Sequence, residues 1–576
     1  MKKTTFLVEK NVPIKMRDGI ITRADIYRPA KTARYPVLLY RFPYNKAHPQ
    51  VLSPILNPLN APERGYVVVI QDCRGRFSSD GEFEPFVSES LDGYDSVEWC
   101  AEQSWSNGKV GIYGSSYSSV TAWQAVMSAP PHLKAAFIRH GSANVYDGWV
   151  YRGGAFELGF NWAWSFNNGS IDTVNRRSPE ERAAVKQNIW DYATDASKWL
   201  RYLPLDKLPG FGTIAPFYKK WLTHSSYDEY WKAISADEHY DKVRVPVLQL
   251  TGWFDAFLGS LEIFENIRKH GALEKARKNQ KLIIGPWTHG AYMTPTPTRI
   301  GDFDLGPSAM VDGQALAFRW FDHWLKGINT GMMEEPSVRI FTIGKNEWRD
   351  EYEWPLKRAK SVSWYLHSNG KANSANGDGT LTLDRPKQEL PDGYTYDPAD
   401  PVPTVGGRTL IRNIDVSEGL QDQRSIEGRN DILVYTSSLL KKDIEVTGPL
   451  SLKLWAASSA KDTDFTGKLV DVYPDGYACI VAEGILRARF RESFSAPKLL
   501  KPGQINEFNI SLYSISYLFK KGHRIRLEVS SSNFPKFDRN LNTGGNNATE
   551  TQIVVAKQTV FHDIERPSQV ILPVIE

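Results

Sequence analysis

Cysteine is scarce in this chain: Cys73, Cys100 and Cys479 are the only three among 576 residues. Their number is odd and they lie far apart, which fits a reducing compartment better than a disulfide framework. No run approaches the ~20 apolar residues of a membrane span. The opening Met-Lys-Lys-Thr-Thr-Phe-Leu-Val-Glu-Lys10 lacks the apolar stretch of a secretory signal, so a cytoplasmic protein is expected. Charge of one sign is also lacking. A formal net charge of +4 is small for this length, and without a basic run or basic-aromatic interleaving nothing points to nucleic acid. There is no His-Glu-x-x-His, Cys-x-x-Cys or Gly-x-x-x-x-Gly-Lys-Ser/Thr, so neither a metal nor another cofactor is expected. Internal repeats and low-complexity tracts are missing as well.

What is present is an ordinary globular composition, 41% hydrophobic and 24% charged, in a chain too long for one core. Short apolar, β-prone runs alternate with helical patterns up to about residue 135. Val37 to Tyr40, Val67 to Ile70 and Val110 to Tyr113 are strand candidates, and the same texture returns at Val245 to Thr251 and Lys281 to Gly285. This predicts one α/β domain, 1–139 and 241–345, split by a helix-leaning insert over 140–240. The insert crowds Trp149, Tyr151, Phe156, Phe160, Trp162, Trp164 and Phe166 near its start, as a lid over a pocket or the core of a small helical subdomain would. From 346 to 576 alternation takes over, in Leu450, Leu452 and Leu454, in Phe508, Ile510 and Leu512, and in Ile525, Leu527 and Val529. These spacings predict an antiparallel β-sandwich or jelly roll.

Ser116 is the most informative residue. It lies in Val110-Gly-Ile-Tyr-Gly-Ser-Ser116-Tyr-Ser-Ser-Val120, an apolar run that breaks on Gly114 and restarts as a small-residue helix. That pattern is a nucleophile elbow, which holds a serine hydroxyl in a strained turn close to a base and to oxyanion donors. The base and its orienting carboxylate follow in the order Ser, Asp or Glu, His in such hydrolases. Asp255, in Gly252-Trp-Phe-Asp255, and His289, in Gly285-Pro-Trp-Thr-His289, each stand just beyond a predicted strand and in that order. Asp255 taken alone could equally cap the helix that follows. For the oxyanion hole the Tyr117 N–H is the natural first donor, and Tyr44, in Arg41-Phe-Pro-Tyr44, offers a phenol on the loop after a strand, unless it only packs beside Pro43.

With these residues the chain resembles the cocaine esterase-like family of α/β-hydrolases, related to X-Pro dipeptidyl peptidases and α-amino acid ester hydrolases. The resemblance spans nearly the whole chain. It includes Asp72-Cys-Arg-Gly-Arg76, Glu347-Trp-Arg-Asp350, Tyr396-Asp-Pro-Ala-Asp-Pro-Val-Pro403, Asp462-Thr-Asp-Phe465, Lys468-Leu-Val-Asp-Val472 and Ser530-Ser-Ser-Asn-Phe-Pro-Lys536. It implies Ser116 as nucleophile, His289 as base, Asp255 as orienting carboxylate, and the Tyr44 hydroxyl with the Tyr117 N–H as oxyanion hole. It also implies a split α/β-hydrolase, a helical cap and a C-terminal jelly roll meeting at the site, and an acyl pocket of Trp149, Trp164, Phe257 and Leu410. Two positions depart from the family pattern: Ser119 stands where a glycine is usual, and Asn45 follows Tyr44 where an aspartate is usual.

The expected function is a serine carboxylesterase for aromatic or apolar acyl groups, working through an acyl-enzyme on a small-molecule ester. An X-Pro dipeptidyl peptidase or an amino acid ester hydrolase or acylase of the same fold is the alternative. Ala256, Phe257, Leu258 and Gly259 after Asp255 speak for an apolar site over one that binds an ammonium. From another class, a binding protein with an inert hydrolase core stays open, its jelly roll engaging a carbohydrate or a protein. So does a homodimer.

Overall fold

The protein is described here by a computed structural model covering residues 6–52, 55–290 and 295–576. The first five residues of the segment examined for a secretory signal lie outside the described residues.

Ten strands form one sheet: β1 (Phe6–Lys15), β2 (Ile21–Pro29), β3 (Tyr35–Phe42), β4 (Val67–Asp72), β5 (Ser106–Ser115), β6 (Leu133–Arg139), β7 (Val247–Phe254), β8 (Lys281–Thr288), β9 (Val338–Thr342) and β10 (Glu347–Glu351). Their spatial order is β1-β2-β4-β3-β5-β6-β7-β8-β9-β10. The run from β4 to β9 is parallel throughout, and the sheet is antiparallel only at its two ends. A parallel sheet is covered on both faces, which is why all of Val67-Val-Val-Ile-Gln-Asp72 is buried and its first four residues read as a continuous apolar run. The helices α1 (Glu89–Glu102) and α2 (Tyr117–Met127) pack on it, α2 with every residue buried.

All five predicted strands of this sheet are present, most of them longer at their ends than their apolar cores. The sheet itself continues past the expected limit at residue 345. Gly344 and Asn346 both take positive φ, 87° and 60°, and this tight turn returns the polar strand β10 against β9.

Residues between β6 and β7 carry the helices α3 (Leu158–Asn168) and α4 (Pro179–Thr194) and several shorter ones. The seven aromatics from Trp149 to Phe166 are all buried, in a cluster that also takes in Tyr117, Phe257, Leu410 and Phe534. One apolar core thus joins the insert to both neighbouring parts of the chain.

The remainder is a separate β-rich domain of eleven mostly antiparallel strands. The three alternating triplets lie on Ile444–Ser458, Asn506–Phe519 and Arg524–Ser530, with each named apolar residue buried. Among the described residues no helix is long and apolar enough to cross a membrane.

Candidate active site

In the sheet, β3 is followed by β4 on one side and β5 lies on its other side, so the strand order reverses at β3. The carboxyl edge beside such a reversal is where open α/β sheets form their crevice. Tyr44 follows β3 there and Ser116 follows β5.

Ser116 has φ 59° and ψ −129°, a left-handed conformation that costs about 1–3 kcal/mol in a non-glycine residue and persists only where packing enforces it. Gly114 is part of that enforcement, since a Cβ there would fall 1.9 Å from the Ser118 carbonyl oxygen. Ser119, which replaces the usual glycine, is accommodated from across the contact. Its hydroxyl donates to the Ser116 carbonyl at 2.5 Å, and a Cβ at Gly141 would come within 2.8 Å of Ser119 Oγ.

The three expected polar groups are brought together. His289 Nε2 lies 3.0 Å from Ser116 Oγ, and His289 Nδ1 lies 2.9 Å from Asp255 Oδ1. Each follows a different parallel strand: β5, β7 and β8. Asp255 also accepts the Phe257 N–H at 3.0 Å, whereas the next helix, Ser260–His270, starts from Gly259. It therefore does not cap that helix. Burial alone would raise the Asp255 carboxyl, but His140 and His289 hold it well below the ordinary carboxylate range.

His140 is the member that sequence reasoning missed. It directly follows β6, between the strands that present Ser116 and Asp255, and its Nδ1 is hydrogen-bonded to Asp255 Oδ2. A polar residue just past the carboxyl end of a parallel strand was a signal available in the sequence. His140, Asp255 and His289 offer three ligand atoms within 4.8 Å of one another, a set that could also hold a metal ion. Asp255 here is occupied as an acceptor at both oxygens, and His289 spans from it to the serine.

Tyr117 N–H is the first of α2, so no carbonyl of that helix is available to it. The Tyr117 side chain is fixed elsewhere: its hydroxyl donates to Glu89 Oε1 and accepts the Phe86 N–H, both at 2.9 Å. The Tyr44 hydroxyl accepts from Trp164 Nε1 at 3.0 Å, and Tyr44 and Ser116 line the same cavity. Burial pushes the Tyr44 phenol up to about 12, so it keeps its proton at neutral pH. Tyr44 does more than pack beside Pro43.

A cavity of about 450 Å³ opens over Ser116, walled by Tyr44, Phe160, Trp164, His289 and Leu410. Trp164 comes from α3 and Leu410 from the C-terminal domain, so three parts of the chain meet there. Trp149 and Phe257 were expected in the same wall, but they sit one layer behind it. They are 1% and 3% exposed, stack on each other with ring centroids 3.9 Å apart, and pack against Phe160 and Trp164 of the wall. Phe257 also sets its edge against the His289 ring at 4.6 Å. The charged residues of the lining are cationic, Arg76 and Arg412, with His48 and His289 beside them. No Asp or Glu is among the described lining residues. Asp172 and Glu418 stand behind the two arginines, at 3.3 and 3.0 Å.

Residues 18–291 match the family model described as X-Pro dipeptidyl-peptidase (S15 family), and residues 330–571 match that of the X-Pro dipeptidyl-peptidase C-terminal non-catalytic domain. A cocaine esterase of Rhodococcus sp. (strain MB1 Bresler) is 39% identical over 581 residues, 99% of either chain. Among solved structures, an aminopeptidase from the marine sediment archaeon Thaumarchaeota archaeon superposes with a TM-score of 0.80 at 25% identity, covering 100% of this chain and 96% of the other. An α-amino acid ester hydrolase does so with a TM-score of 0.77 at 25% identity, covering 100% and 97%.

Proposed function

Because the chain belongs to the cocaine esterase-like branch of the X-Pro dipeptidyl-peptidase (S15) family and is a serine hydrolase acting on esters, we propose that Ser116 is its nucleophile, with His289 as base and Asp255 orienting that base. Ser116 Oγ attacks the ester carbonyl as its proton passes to His289 Nε2, and the Tyr44 hydroxyl and Tyr117 N–H receive the oxyanion. His289 then protonates the departing alcohol, leaving an acyl-enzyme. Water activated by His289 hydrolyses it by the same route in reverse. The observation that carries this reading is the continuous line of contacts from Asp255 through His289 to Ser116, at 2.9 and 3.0 Å, delivered to a strained elbow.

The acyl group is aromatic or apolar. Phe160, Trp164 and Leu410 offer it apolar area worth about 25 cal/mol per Å² buried, with Trp149 and Phe257 stiffening the wall from behind. A peptide N-terminus or an amino acid ester would bring an ammonium into a cavity whose described lining holds two arginines and no carboxylate. That charge distribution favours a neutral ester over the X-Pro peptidase reading. In architectural terms the insert over 140–240 acts as a helical cap and the C-terminal domain is a jelly roll that closes the cavity with Leu410. The three buried free cysteines support a cytoplasmic location, and the homodimer stays a reading for sedimentation to decide.

Steady-state kinetics on 4-nitrophenyl benzoate, 4-nitrophenyl butyrate, an X-Pro 4-nitroanilide and an amino acid methyl ester test the assignment. The neutral aryl esters should have the highest kcat/KM. Preference for the X-Pro amide would install the peptidase reading instead, and turnover of none of them would favour the binding protein.

A further inference from the structure

Asp255 is held by more groups than a serine–histidine relay requires. Oδ1 accepts from His289 Nδ1 at 2.9 Å and from the Phe257 N–H at 3.0 Å. Oδ2 accepts from His140 Nδ1, with the Thr251 hydroxyl further off at 3.4 Å. The two imidazoles thus grip opposite oxygens of one carboxylate, their rings 5.5 Å apart and inclined at 71°.

We propose that His140 is a positioning residue of the triad, its Nδ1–H fixing Oδ2 of Asp255 so that Oδ1 stays aimed at His289. This rests on the reading of Ser116, His289 and Asp255 given above. His140 is fully buried and its backbone is pinned, the N–H donating to the Leu250 carbonyl on β7 at 3.0 Å. Among the described residues its Nε2 has no hydrogen-bond partner, so the ring's polar engagement is with Asp255. The titratable groups facing it are Asp255 on the loop after β7, His289 after β8, and Arg139 at the end of β6. Burial lowers its pKa, Arg139 and His289 add to that, and Asp255 opposes it. The ring is therefore neutral and its one proton belongs on Nδ1. A neutral donor orients the carboxylate without placing a second cation beside it, which leaves the Asp255 charge for the imidazolium that forms on His289 during each step. A carboxylate fixed at both oxygens cannot swing away from His289 as that proton moves.

Two substitutions separate positioning from packing. The His140 backbone has φ 48°, a conformation that glycine and asparagine both tolerate, so neither adds backbone strain. His140→Gly removes the donor. His140→Asn replaces it, because the asparagine Nδ2 reaches about where the histidine Nδ1 sits. On a neutral aryl ester, His140→Gly should lower kcat by about 10- to 100-fold, the scale of one hydrogen bond to a charged group, with KM little changed. The acid limb of its kcat/KM profile should move to higher pH, since less hydrogen bonding leaves more negative charge on Asp255 facing His289. His140→Asn should recover most of kcat and the original profile. A folded glycine variant with wild-type kcat and pH profile would overturn the proposal. So would equal losses in both variants that track a fall in thermal stability. Should His140→Gly fail to fold, a tenfold or greater loss in a folded His140→Asn overturns it, and near-wild-type turnover there upholds it. Ser116→Ala keeps the two levels apart: activity surviving in that variant refutes the triad itself, whereas a dead Ser116→Ala beside unaffected His140 variants refutes only the role of His140.

Discussion

Replacing Tyr44 by phenylalanine removes one hydroxyl and keeps the ring, so it isolates the proposed oxyanion donor from the packing around it. The ring sits edge-on to Phe42 at 5.3 Å, a contact phenylalanine retains. Catalytically the variant loses one of two donors, and removal of one such donor costs about 2.7–4 kcal/mol, or 10²- to 10³-fold in kcat. Structurally it leaves Trp164 Nε1, whose partner at 3.0 Å was that hydroxyl, without a bond in a residue only 9% exposed. An unpaired buried N–H costs about 1–3 kcal/mol, which a thermal unfolding midpoint reads independently of turnover. Acylation and deacylation both pass through an oxyanion. Stopped-flow release of 4-nitrophenol should therefore show the burst rate and the steady rate falling together, with KM changing little. A Tyr44→Phe enzyme with kcat near wild type would refute the assignment, and a loss confined to KM would make Tyr44 a binding residue only.

Three further outcomes are expected. Gly141→Ala should destabilise the fold by about 1–3 kcal/mol through the 2.8 Å approach of its Cβ to Ser119 Oγ. Adding Ser119→Gly should restore most of the loss, read as a double-mutant cycle in denaturant. Burial pushes the Glu528 carboxyl up to about 8 against the pull of Lys468, above the 4.5 of an unperturbed glutamate. Its stabilising contribution is thus complete below that lower value and is lost as pH rises through the higher one. Thermal midpoints between pH 5 and 8.5 should fall less steeply in Glu528→Gln than in the wild type. Trp164→Ala should raise KM for the benzoate ester more than for an acetate ester, since only the larger acyl group reaches that wall; equal changes for both would contradict the acyl-pocket assignment.

The parallel sheet was legible because its strands are buried on both faces, so stretches such as Val67 to Ile70 are uninterruptedly apolar and end where polar loops begin. The same rule of strand ends located Ser116, Asp255 and His289, each of a residue type with a known place in the relay. His140 obeys that rule too, but the strand before it, Leu133–Arg139, was not among the predicted strands, and only the packing of β6 against β7 shows what it touches. The acyl wall was less legible for a different reason. Trp149, Trp164 and Phe257 are alike in composition and all buried, and whether a buried ring faces a cavity or another ring depends on how the insert folds back on the sheet. The extension of the sheet to Glu351 was hidden because β10 is a polar edge strand.

The central claim is that a hydroxyl on the elbow after β5 takes up the acyl group. Peptide mass spectrometry of the folded protein after reaction with a fluorophosphonate tests this most directly. A single adduct on Ser116, lost in Ser116→Ala and suppressed by competing aryl ester, is the predicted result. An adduct on another residue, or none on an enzyme that still turns over esters, would contradict it.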